Sequence, residues 1–137
     1  MGTKTVLLAA YVNVNATDLS AYGCSAELPI EVADEDSTTF GSGGWEEKQG
    51  GLKSGSLKLK FKQSVTATEL DSIVWPLLGT VVAFELRVSQ GARSTSNPGY
   101  TGSALISKWT PISGDVGKIL EVDVEWPTSG AVARQTS

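Results

Sequence analysis

The sequence predicts an all-β fold: an antiparallel β-sandwich or small β-barrel, with one short flanking α-helix over about 66–76 and a long loop over about 34–52, in a single domain spanning 1–137. Three observations carry this expectation. Gly, Ser and Thr number 15, 16 and 13 of 137 residues, a composition of turn formers and β-tolerant side chains. Two segments, Leu57–Lys62 and Leu120–Trp126, alternate strictly between apolar and charged residues, the period of a half-buried strand. Only one segment, around Leu70, Ile73, Val74 and Leu77, places apolar residues at helical spacing.

Taken in order, residues 5–15 (TVLLAAYVNVN) end in alternation and predict a first strand over 6–15. Residues 16–20 read as a turn into a second short segment. Residues 25–33 alternate again, with Leu28, Ile30 and Val32 opposite Glu27, Pro29 and Glu31; the proline points to an edge strand or a strand end. Residues 34–52 (DEDSTTFGSGGWEEKQGGL) break the pattern with five glycines and five acidic residues, yet carry Phe40 and Trp45. A loop of that length in a small domain is usually functional or disordered, and two large aromatics in it suggest docking. The expectation is that it orders only on assembly. Residues 53–63 form the clearest strand. Thr66 and Glu69 have capping-box spacing ahead of a helix over 66–75, which Pro76 ends. Residues 80–89, 100–110 and 118–126 are further strands. Residues 90–99 and 111–117 are polar connections, and 127–137 form a short tail.

Composition narrows the chemistry. The chain has no His, which removes the commonest general base and metal ligand, and a single Cys, Cys24, which excludes an internal disulfide or a Cys-based zinc site. No catalytic, cofactor-binding or metal-binding residues are assigned, and no cofactor is expected. Glu46 with Glu47, or Asp34 with Asp36, are paired carboxylates, but they lie in a Gly-rich segment that would not hold them at a fixed separation. The cluster Asp34–Glu35–Asp36 lacks the ligand spacing of a calcium loop. The apolar runs Val6–Val12 and Ile73–Phe84 are too short or too interrupted to span a bilayer, so no membrane role is expected. A net charge of −4 argues against tight binding to phosphates. The chain is therefore expected to be no enzyme.

Two charged rows stand out. Lys58, Lys60 and Lys62 line one face of a strand, and Glu121, Asp123 and Glu125 line one face of another. Opposite charges across neighbouring strands contribute about 0.2–1 kcal/mol per pair. The two rows are therefore candidates to meet, within one sheet or across a subunit boundary.

One group of motifs resembles the major tail (tail tube) proteins of long-tailed, siphovirus-like bacteriophages. It comprises the acidic segment leading through Thr38-Thr39-Phe40 to Gly44-Trp45-Glu46, then Gly50-Gly51-Leu52-Lys53-Ser54-Gly55-Ser56-Leu57, and the helix ending in Trp75-Pro76-Leu77-Leu78-Gly79. Tyr100-Thr101-Gly102, Trp109-Thr110-Pro111, Gly114-Asp115-Val116-Gly117 and Trp126-Pro127 extend the resemblance over nearly the whole chain. It implies a structural virion protein, made in the host cytoplasm, that self-assembles into stacked hexameric rings around a conduit for genomic DNA. Other tail proteins would meet the tube at its ends, and the DNA would pass without specific binding. By the same resemblance 34–52 would reach a neighbouring subunit or ring, with Phe40, Trp45, Glu46 and Leu52 at the contact, and residues 1–4 and 127–137 would be docking arms. The lumen would be negative, with Glu27, Glu31, Glu85 and the 121–125 row as candidates to line it and the lysine row placed elsewhere. A different class of function remains open: a β-sandwich binding module, such as a capsid decoration protein or a carbohydrate-binding domain, using exposed Trp from among Trp45, Trp75, Trp109 and Trp126.

Overall fold

A computed structural model describes residues 2–137. It consists of two open antiparallel sheets packed face to face. The first sheet has the order β2-β1-β6-β7-β9, with β1 Tyr11–Val14, β2 Thr17–Asp18, β6 Val81–Arg87, β7 Gly99–Leu105 and β9 Ala133–Gln135. The second is built around β5 (Lys48–Lys62), which pairs with β3 (Gly23–Glu27), β4 (Ile30–Asp36) and β8 (Glu121–Pro127). One short helix, α1 (Leu70–Val74), runs into a 3-10 turn over Trp75–Leu77.

Alternation dictates which residues face inward. Leu57, Leu59 and Phe61 from β5 meet Val122, Val124 and Trp126 from β8, and the first sheet contributes Val12, Val14, Val82, Phe84 and Leu86. Leu70 and Val74, one turn apart on α1, close one end of this core together with Ile106 and Trp109. Both buried indoles have partners: Trp126 Nε1–H donates to Lys108 O at 2.7 Å, and Trp109 Nε1–H to Asp71 Oδ1 at 2.9 Å. The chain crosses between the sheets just after β8, where Thr128 N–H donates to Gly55 O and Ser129 N–H to Ser103 O.

The structure corrects several of the sequence-based boundaries. The first strand begins only at Tyr11, where β6 supplies a ladder; Val6, Leu7 and Leu8 are all apolar and all exposed. The helix is shorter than 66–76. Thr68 takes a left-handed φ of 68°, Glu69 is extended, and the Glu69 carboxylate accepts from the Ser64 hydroxyl instead of completing a capping box with Thr66. The 127–137 segment is not wholly a free arm: Pro127 ends β8, and Ala133–Gln135 pairs with β7.

The largest correction concerns 34–52, of which only 37–47 is a connection. Residues 34–36 belong to β4 and 48–52 to β5, paired as Asp34↔Gly50, Glu35↔Gln49 and Asp36↔Lys48. β3, β4 and β5 together form one long hairpin, kinked near Pro29, with register shifts at Gly23/Ser25 and Val32/Asp34. Gly51, beside the register shift, leaves room for a neighbouring side chain: a Cβ there would lie 2.9 Å from Glu35 Cγ.

Candidate interaction surface

Beyond residue 30 the long hairpin leaves the body of the sandwich. Every residue of β4 is exposed, and so are residues 48–54 of β5. This arm has water on both faces and, among the described residues, no ladder partner outside itself except at its base, where Ser56 meets Pro127. Its tip is closed by short-range bonds. Ser37 N–H donates to Glu47 O at 3.0 Å, Glu47 N–H to Thr38 Oγ1 at 2.8 Å, Thr38 N–H to Asp36 Oδ1 at 2.9 Å, and Thr39 N–H to Ser42 Oγ at 3.0 Å. A 3-10 turn over Phe40–Ser42 sits at the apex.

The arm gathers the contact residues expected from sequence. Phe40 and Trp45 project from the tip with relative exposures of 109% and 78%, and Leu52 stands out from β5 at 86%. Glu46 is exposed beside Trp45. Ile30 and Val32, half exposed on β4, extend the apolar surface to the base of the arm; sequence reading had assigned them to an ordinary strand face. The arm also carries Glu31, Asp34, Glu35, Asp36, Glu46 and Glu47 against Lys48 and Lys53. That excess of four negative charges equals the net charge of the whole chain, which leaves nine residues of each sign on the remainder.

The two charged rows lie side by side on the outer face of the second sheet. The register sets Lys58 opposite Glu125, Lys60 opposite Asp123 and Lys62 opposite Glu121. Lys62 Nζ–H donates to Glu121 Oε2 at 2.7 Å, and this bond holds the Lys62 ammonium above, and the Glu121 carboxyl below, its ordinary range. Lys60 lies 3.9 Å from Asp123; Lys58 lies 3.8 Å from Glu27 on β3, a partner the sequence did not suggest. All these side chains are largely exposed, so the pairs add little stability. Their effect is to make this face a nearly neutral ladder.

A second cluster lies on the outer face of the first sheet. Glu85 accepts from Arg93 Nε and Nη2 at 2.8 and 2.9 Å and from Arg87 Nη1 at 2.9 Å, and the Arg87 guanidinium stacks over the Tyr11 ring at 3.9 Å. Arg93, and secondarily Arg87, hold the Glu85 carboxyl below its ordinary range against the opposing effect of burial. Gly99 makes room: a Cβ there would fall 2.6 Å from Glu85 Oε2. Glu85 is therefore neutralised in place and presents no free negative charge. Local spacing gave no sign of this cluster, because Arg93 arrives from the 90–99 connection.

Two of the four tryptophans, Trp109 and Trp126, are buried with their indole N–H groups bonded, which leaves only Trp45 and Trp75 exposed. Among the described residues no three carboxylate or thiol side chains converge to hold a metal ion, and no helix is long and apolar enough to cross a membrane.

The same fold occurs in a virion. A chain from the virion of a native gene transfer agent (GTA) particle superposes with a TM-score of 0.72, covering 93% of this chain and 95% of that one at 16% identity. No family model and no curated protein matches the sequence. At that identity the likeness is one of fold.

Proposed function

We propose that the chain is a structural virion protein, a tail tube subunit that assembles with copies of itself into stacked hexameric rings around a hollow conduit for DNA. The observation that carries this reading is the arm. A two-stranded ribbon with water on both faces is marginal alone, and this one displays Phe40, Trp45, Leu52, Ile30 and Val32. Apolar surface so placed is the mark of an interface. Aromatics that enter a partner's pocket supply much of the binding free energy. The open edges at β3 and β8 add strand-pairing capacity, which a closed ring would use up. The fold shared with a chain of a virion particle supports the same reading.

The test is negative-stain electron microscopy of concentrated protein at near-physiological salt. Hollow tubes or six-fold rings are expected. A protein that stays monomeric at every concentration and whose tryptophan emission is quenched by oligosaccharide overturns the reading in favour of a binding module.

A further inference from the structure

We infer that residues 3–8 of one copy add as an antiparallel strand to the free edge of β4 on a second copy. The inference rests on the self-association proposed above and names the surfaces that meet.

The first observation is an unpaired segment. Residues 2–7 hold no helix, strand or turn, Leu8 lies in a bend, and none of them has a ladder partner among the described residues, the first bridge being Ala9 with Ser89. Val6 and Leu8 are 71% and 88% exposed. The second is an unmet edge: β4 pairs only with β5, and its other side is open over seven residues. An unpaired segment that takes strand conformation on docking completes an open edge through main-chain bonds, with side chains setting the register.

Charge selects the edge. The opposite edge of the arm belongs to β5 with Lys48 and Lys53, which would repel Lys4, whereas β4 offers Asp34, Glu35 and Asp36. Pattern selects the register. In an antiparallel alignment with Leu8 opposite Ile30, Val6 falls opposite Val32 and Lys4 opposite Asp34. Both apolar residues then lie against apolar partners on one face, and the cation lies beside a carboxylate.

Reach selects a second copy over the same chain. Leu7 lines a cleft with Ala26, Glu27 and Leu28 of its own sandwich. From Leu7 back to Lys4 the chain spans about 10 Å, while from Leu28 to Asp34 it is about 20 Å, at roughly 3.3 Å per residue. Anchored at Ala9, a subunit's own Lys4 falls short of its own Asp34.

The experiment mixes two full-length proteins in a Cys24→Ser background, one carrying Lys4→Cys and the other Asp34→Cys, under mild oxidation. A disulfide-linked dimer that forms only when both are present is the expected result. Adding Val6→Glu to the first protein should cut its yield at least about tenfold, the equilibrium weight of roughly 1.4 kcal/mol, with the thermal midpoint unchanged. No linked dimer beyond that of either protein alone, or equal linking with Val6→Glu, overturns the inference. Microscopy of the same samples separates the two readings. Rings or tubes without the link leave the tube standing and remove this pairing. The link without rings or tubes leaves the pairing standing and removes the tube.

Discussion

Ala16 shows how one residue can hold a fold at a disadvantage. Asn15 and Ala16 join β1 to β2 with φ of 54° and 62°, the left-handed pair that a tight hairpin turn requires. Asn tolerates that region, but Ala has no local bond to offset the close approach of its Cβ to the carbonyl. Ala16→Gly should therefore raise stability by about 0.5–1 kcal/mol, read as a higher denaturant midpoint with unchanged m-value. Glu85 makes the opposite case. Its carboxyl is depressed below the ordinary value of 4.5 by the arginines around it. A depressed carboxyl stabilises the fold above its unfolded value, and that contribution is lost as the pH falls through the folded value. Stability should thus begin to fall below about pH 4.5, and more gently in Glu85→Gln, which starts lower at neutral pH and has no carboxylate to protonate. Acid titrations of the denaturant midpoint for the two proteins check this; parallel curves would mean the cluster contributes nothing.

Among the elements, those that were legible in sequence are the ones that bury one face. Leu57, Leu59 and Phe61 alternate with lysines because β5 packs on a core there, and β8 reads the same way. The distal half of β5 is an equally regular strand, yet 48–54 show no alternation because neither face is covered. Hydrophobic period reports burial, not backbone conformation, so an arm free of the core reads as a loop. The start of α1 was illegible for another reason: Glu69 is drawn to Ser64, outside the span of a local cap. At the candidate site, Phe40 and Trp45 were legible as large aromatics stranded among glycines and acids. Ile30 and Val32 were not, because an exposed apolar strand face and a buried one share the same letters. Since no core residue lies between 31 and 54, that span should be dispensable for folding. Replacing it with an Asn-Gly turn should leave the thermal midpoint within a few degrees of the parent, at about the level of a surface change of ±0.5 kcal/mol, and abolish self-association in sedimentation. A variant that unfolds would place the arm in the folding unit after all.

For the molecule as a whole, charge is distributed with a direction. The body balances nine residues of each sign, and the arm carries the entire excess. Copies that all carry this excess repel one another, so association through the arm should strengthen as salt rises and screens exposed charges over about 10 Å at 0.1 M. Sedimentation across a salt series reads this directly; apolar docking alone would hold steady unless the salt is kosmotropic. On the second sheet, the ladder of Lys58, Lys60 and Lys62 with their carboxylates leaves few unpaired cations for a phosphate to bind.

A single uninterrupted strand, β5, is both the spine of the arm and the central strand of the second sheet, held by β3 on one side and β8 on the other. Hydrogen bonds in an antiparallel sheet lie across the strands. A pull on the arm tip along its length therefore acts on the β5 ladders sideways and all at once, in shear, instead of peeling them open one after another. Seven residue pairs with β8 and four with β3 share that load. Tension reaching one subunit through its arm is passed straight into the sandwich, so a chain of such subunits would stretch as a cord with no hinge between each arm and its body.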